Sequence, residues 1–159
     1  MTIFQQQQAL NAAVRCQAQI EDDYQQIEQL TQQWVDIWSP KDQPFTGQGF
    51  EQIFATGENQ ILVFDDFNGS VVVLRSLQAY LETWAPAMQQ FKDWEIAIEN
   101  NLEITLEGNL ATSTFSFAGG GRSHDGTPYR LRQYCTHIWK RSDHQWRLIH
   151  EHLTSDSET

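Results

Sequence analysis

The chain has 159 residues, of which 40% are apolar and 12% aromatic; this suits one folded domain with a real core and excludes a disordered segment. It carries 21 acidic against 10 basic residues, a formal net charge of −11, which argues against a phosphate backbone or an anionic membrane surface as partner. Cys16 and Cys135, the two cysteines, are too far apart in sequence for a zinc or disulfide framework, no apolar run approaches the ~20 residues that cross a bilayer, and four glutamines occupy the first ten positions, where a signal peptide would be apolar, so a cytoplasmic protein without nucleic acid, membrane, metal or cofactor is expected.

Residues 1–19, rich in Gln and Ala with Phe4, Leu10 and Val14 as scattered apolar points, read as an N-terminal extension for which both a helix and partial disorder stay open. From Ile20 the pattern is regular. Ile20, Tyr24, Ile27, Leu30, Trp34 and Trp38 recur every three or four residues, the stripe of an amphipathic helix. Pro40 ends it by Ser39, because proline lacks an N–H and disfavours helix in the residue before it. Residues 40–49 form a loop, and Phe50, Ile53 and Phe54 a short helical turn. Ile61 to Phe64 and Val71 to Val73 are short strands around the turn Asp65-Asp66-Phe67-Asn68-Gly69. Leu77, Tyr80, Leu81, Trp84, Met88 and Phe91 return to the helical period, with Ser76 as N-cap and Pro86 as a kink or stop.

After residue 93 the chain reads as strand. Trp94, Ile96 and Ile98 alternate with Glu95, Ala97 and Glu99, and Leu102 to Leu106 repeats the alternation up to a turn at Glu107-Gly108-Asn109. Leu110 to Phe117 returns. Gly119-Gly120-Gly121 and Asp125-Gly126 read as a connection, Tyr129 to Arg141 as a long strand, Ser142 to His144 as a tight turn and Gln145 to Leu153 as the last strand, before a polar tail at residues 155–159. Helices first and strands afterwards is the α+β order. Both parities of the last two strands are partly apolar, so one sheet face packs on helices and the other is expected to meet a second subunit.

Gly126-Thr127-Pro128, Thr136-His137-Ile138-Trp139-Lys140, Trp146 and His150-Glu151-His152 resemble the closing hairpin of SnoaL-like domains, within the ketosteroid-isomerase-like or nuclear-transport-factor-2-like superfamily. The helix with Trp34, the Asp65-Asp66 turn and the helix bearing Tyr80 and Trp84 are compatible with it, over residues 20–154. The resemblance implies a cone-shaped cystatin-like fold, with N-terminal helices packed on a curved antiparallel sheet around a pocket. Carried over by position, it implies an interior lined by Tyr24, Trp34, Tyr80 and Trp84 from helices and by Phe115, Phe117, His137, Trp139, Ile149, Glu151 and Leu153 from strands. His137 and Leu153 stand where the association domain of calcium/calmodulin-dependent kinase places arginines, which weakens the case for an anionic ligand held in that way.

Four residues are candidates for chemistry. His137 and Glu151 suit a general acid/base pair, in which a carboxylate orients an imidazole, or else a self-satisfied polar pair in a wall. Asp65 and Asp66 end a strand near the expected mouth; Asp66, with Tyr24 as oxyanion donor, would suit isomerase-type proton transfer, while turn formation is the commoner use of such an Asp. His150 and His152 share a strand face without an evident third ligand, which fits an interface better than a metal. The triple glycine lacks the helix N-terminus and Lys-Ser/Thr pair of a phosphate loop. The expected function is a pocket that binds, or converts by metal-free isomerase, cyclase or dehydratase-like acid/base chemistry, a small apolar or partly polar metabolite. The alternative is a non-catalytic association module with a vestigial pocket. Trp34, Tyr80, Trp84, Phe115, Phe117, His137 and Trp139 are its expected ligand contacts.

Overall fold

In the computed structural model, which describes residues 2–156, one helix, α1 (Ile3–Ile37), runs unbroken through the start expected at Ile20. Thr2 opens it with a capping box: its hydroxyl accepts from the Gln5 N–H, and the Gln5 side chain accepts from the Thr2 N–H. Side-chain pairs four residues apart, such as Gln7 with Asn11 and Gln19 with Asp23, add a few tenths of a kcal/mol each. Every residue from Thr2 to Asp22 is exposed, and burial begins at Asp23. The first half of α1 is therefore an arm, and only the second half is core.

The buried stripe of α1 runs through Asp23, Ile27, Thr31, Trp34 and Val35. Tyr24 falls beside it and is 41% exposed. Asp23 takes the inward place because Arg141 donates to both of its carboxylate oxygens at 2.6 Å and Trp146 Nε1 donates to it at 3.1 Å. Burying a large apolar side chain such as Ile27 or Trp34 contributes roughly 1.5–3 kcal/mol, which fixes the helix on the sheet.

A short α2 (Phe50–Ile53) is followed by β1 (Leu62–Asp65), β2 (Val72–Leu74) and α3 (Leu77–Met88). Ser76 caps α3 by accepting from the Ala79 N–H at 3.1 Å. Pro86 stands inside the last turn of α3 rather than ending it earlier, and the helix stops two residues beyond it. The sheet then builds from β3 (Phe91–Ile98), β4 (Glu103–Glu107), β5 (Leu110–Ser123), β6 (Pro128–Ser142) and β7 (Gln145–Ser155). Its order is β2-β1-β7-β6-β5-β3, with β4 also on β5. Every pairing is antiparallel except β1 with β7. The architecture is α+β, helices on one face of a curved sheet. Of the expected polar tail, Ser155 still belongs to β7, and residues 157–159 lie outside the described residues.

Two strand features differ from the sequence reading. The triple glycine is no connection: it lies inside β5, paired with β3 and β6 together. A Cβ at Gly119 or Gly121 would meet the backbone of β3, and one at Gly120 the backbone of β6. The strands approach closely there because no side chain intervenes, which lets the sheet bend. In β7, the register with β6 shifts between Ile138 and Trp139, leaving Ile149 as the extra residue. The bulge changes the parity of the strand. Trp146 and Leu148 face inward before it, Glu151 and Leu153 after it, and Ile149, expected inside, is half-buried.

Candidate functional site

Between α1, α3 and the sheet lies a cavity with about 30 Å³ open to the centre of a water molecule. Its walls are mainly aromatic: Trp34 from α1 and Trp38 from its C-cap, Tyr80 and Trp84 from α3, Trp94 from β3 and Phe117 from β5. Met88, Ile96, Leu131 and Leu153 add aliphatic surface, and Asp65 and Gln133 form its carboxyl–amide corner. None of the described lining residues is Lys or Arg. The much larger recess between α1 and β3, bordered by Glu28, Asp36 and Glu95, is an open acidic groove.

Asp65 reaches the cavity because β1 alternates, burying Val63 and Asp65. Its carboxylate accepts from Gln133 Nε2 at 3.1 Å and from the Phe67 N–H at 2.9 Å. Burial, with the nearby charge of Glu151 second, raises its pKa from 3.8 to about 7. Asp66, the candidate base, is not among the cavity-lining residues, although Gln133 Nε2 donates to it at 3.4 Å. It accepts from the Ser155 N–H at 2.7 Å and from the Ser155 hydroxyl at 2.6 Å, clasping the end of β7. The neighbour of the expected base is thus the acid on the cavity.

Phe67, in the turn after β1, closes one side. Its ring packs edge-on against Trp84 and Trp94, with centroids at 5.9 and 6.0 Å, and tilts against Tyr129. The side chain is only half-buried and borders the cavity.

Behind the cavity runs a buried polar chain. Trp38 Nε1 donates to the Tyr80 hydroxyl at 3.1 Å, and that hydroxyl donates to Glu151 Oε1 at 3.0 Å. Burial, then the charges of Glu151 and Asp65, push the Tyr80 phenol well above its ordinary range, which keeps it protonated. His137 and Glu151 are opposed in the β6–β7 register, and His137 Nε2 lies 3.3 Å from Glu151 Oε2. Neither imidazole nitrogen nor Glu151 Oε2 finds a hydrogen-bond partner among the described residues.

The sequence candidates therefore separate into two groups. Trp34, Tyr80, Trp84 and Phe117 border the cavity. Phe115, His137 and Trp139 lie behind it: the His137 ring is enclosed by Trp34, Phe115 and Trp139 at 5.0–5.5 Å, and Trp139 Nε1 donates to Ser113 at 2.9 Å. Glu151 is not among the cavity-lining residues and meets the wall through its hydrogen bond from Tyr80. Tyr24 is outside on α1, and Tyr80 supplies the buried phenol instead. Gln133 and Phe67 were missed; the inward parity of β6, which runs through Leu131, Cys135 and His137, could have pointed to Gln133. The thiol of Cys135 is buried and pushed well above its ordinary pKa by that burial. His150 and His152 both flank Phe64 on the outer sheet face, and no metal-holding group of His, Cys, Asp or Glu exists among the described residues.

A family model for a SnoaL-like domain matches residues 27–155. No curated protein matches the chain in sequence. Among solved structures, it is similar to a nuclear transport factor 2-like superfamily protein from Salmonella enterica, with 16% identity, coverage of 85% of this chain and 92% of that one, and a TM-score of 0.70. It is similar to the association domain of C. elegans CaMKII, with 13% identity, coverage of 84% and 96%, and a TM-score of 0.59. It is also similar to a type 2 hexachlorocyclohexane dehydrochlorinase, with 10% identity, coverage of 85% and 86%, and a TM-score of 0.69. At such identities the likeness is one of fold, and enzymes and association modules share it.

Proposed function

The chain belongs to the SnoaL-like domain family, and on that footing we propose that it binds a small, uncharged, mainly apolar compound in the cavity beside Asp65. The observation that carries this reading is the lining itself: aromatic and aliphatic walls with one carboxyl–amide corner and no cationic side chain. Such a composition is that of a small-molecule site, in which apolar area supplies affinity and a few polar groups set orientation. The space open at present fits one or two water molecules, so the ligand enters by displacing the half-buried Phe67 ring. Proton transfer is the chemistry within reach: Asp65, with its pKa at about 7, exchanges a proton with a bound compound near neutral pH.

Thermal unfolding against matched panels of neutral apolar compounds and of carboxylates tests the reading. A neutral binder at 100 times its Kd stabilises the fold by about 2.7 kcal/mol, which for a domain of this size raises Tm by roughly 5–10 °C. A response confined to carboxylates, or no response, contradicts it.

A second reading concerns the outer sheet face. We propose that Tyr134, 49% exposed, with the neighbouring Ile138 and His152, packs against a second copy of the chain. The likeness to association domains supports it. Light scattering at micromolar concentration gives a dimer if this holds, converted to monomer by Tyr134→Glu; a monomeric parent protein refutes it.

A further inference from the structure

The exposed half of α1 keeps the pattern of the half that packs on the sheet. From Ile3, steps of three and four residues lead through Leu10, Ala13, Ile20 and Tyr24, with Gln6 and Gln17 between, into Ile27, Thr31, Trp34 and Trp38. This is one seven-residue repeat from end to end, the seam along which helices pair. From Ile27 on it is buried, and before Ile27 it is exposed. The arm from Ile3 to Asp22 is a helix of about 30 Å, marginal in water unless its amphipathic face is covered. It lies before residue 27, where the family match begins, so it is no part of the shared domain. From Thr2 to Ile20 its one charged residue is Arg15, and all 21 acidic residues of the chain follow Ile20. Such a stretch has neither the Lys/Arg face that an anionic membrane attracts nor an acidic face for a basic peptide. In a chain of net charge −11 it is the part that a second copy approaches without carboxylate repulsion.

We propose that the arm pairs antiparallel with the arm of a second copy of this chain, along the stripe from Ile3 to Ile20. When Ile3 of each copy meets Ile20 of the other, Leu10 meets Ala13 and Gln6 meets Gln17. Apolar layers then face apolar layers, and the two amides bond to each other and fix the register. The tip of the incoming arm stops at Glu21, short of Asp23, where burial on the sheet begins. There its first turn, the positive end of the helix dipole, lies beside Glu21 and Asp22. A parallel pair would instead set Glu21, Asp22 and both acidic domains side by side. Two arms overlapping over about 27 Å bury roughly 1,000 Å² in total, the low end for a specific contact, so the pair is reversible. In the dilute protein of a light-scattering or unfolding experiment the arms stand apart, and the stability of the domain does not depend on them. The surface differs from the sheet face around Tyr134, and the pairing is independent of what the cavity binds.

Sedimentation equilibrium of the full chain and of its Tyr134→Glu variant, from about 5 to about 300 µM, tests this. In the variant the sheet contact is disabled, so the association that remains belongs to the arms. The expected result is reversible dimerisation of the variant above roughly tens of micromolar, with a far-UV helix signal that rises over the same range. Adding Leu10→Glu weakens this step at least about tenfold, whereas Gln8→Glu, the same charge on the opposite side of the arm, changes it less than about twofold. The direction is read with Ala9→Cys, because the alignment brings Ala9 of one copy beside Cys16 of the other, while Cys135 is buried. After air oxidation, peptide mapping of the covalent dimer should find the introduced thiol joined to Cys16; like joined only to like overturns the antiparallel alignment. A Tyr134→Glu chain that stays monomeric at the highest concentration, or an association that Leu10→Glu leaves unchanged, overturns the pairing of arms. Neither result touches the cavity or the sheet-face readings.

Discussion

Asp65 and Asp66 are adjacent and chemically identical, yet burial holds one pKa near 7 while the other clasps Ser155. An acid whose folded pKa is raised binds more protons than the unfolded chain, where Asp titrates near 3.9. Its stabilising contribution is complete below about pH 4 and is lost as pH rises to about 7. Asp65→Asn keeps an acceptor for Gln133 and Phe67 but cannot ionise. It is expected to match the parent protein near pH 4 and to exceed its stability at pH 8 by on the order of 2–4 kcal/mol. Urea unfolding of both proteins across that range checks this; a constant difference contradicts it. Taking the difference also removes His150, whose pKa is lowered by burial and whose slope is opposite. Tyr80→Phe leaves Glu151 Oε1 without a donor and Trp38 Nε1 without an acceptor, so a loss of about 2–4 kcal/mol is expected in the same assay. Which Asp faces inward was not legible in the sequence. β1 is a short strand, and Leu62, Val63 and Phe64 are all apolar, so the run has no alternation; the register against β7, Val63 opposite Glu151, decides it.

At the scale of elements, the helical stripes and the strand order could be read directly, because burial of one face imposes a period on the residues. The boundaries that failed have local causes. Polar positions along the arm of α1 carry no apolar period, yet the helix continues through them on its cap and side-chain pairs. The bulge at Ile149 inverts the parity of β7, and no residue type announces it. The triple glycine resembles a loop in composition and is a strand where neighbouring backbones come too close for a Cβ. Gly119→Ala is therefore expected to destabilise by at least about 2 kcal/mol, since its neighbours are backbone atoms of Glu95 and Ile96 that cannot rotate away. Gly108→Ala in the β4–β5 turn meets nothing within 4 Å but stands at φ +61°, so it serves as the control for left-handed backbone strain alone, which costs roughly 1 kcal/mol. Equal losses would show that the close approach does not matter.

For the whole molecule, the sequence supported the α+β order and the superfamily resemblance, but not how much of the expected pocket is filled. Phe115, His137 and Trp139 pack the closed end beneath α1, leaving the cavity to Asp65, Tyr80 and the three tryptophans Trp34, Trp38 and Trp84, with Trp94, Phe117 and aliphatic side chains completing it. The arm contributes no buried residue, so deletion of residues 2–19 is expected to leave Tm within about 2 °C of the parent, as exposed positions do; a larger fall would mean that the arm is covered in solution. Leu153→Phe probes the cavity itself, because the larger ring occupies most of the roughly 30 Å³ that a ligand must use. Calorimetric titration of the tightest neutral compound into the parent and the Leu153→Phe protein, with unfolding scans to show both folded, should give an affinity at least about tenfold weaker in the variant. Equal affinity would place the ligand elsewhere and contradict a binding site beside Asp65.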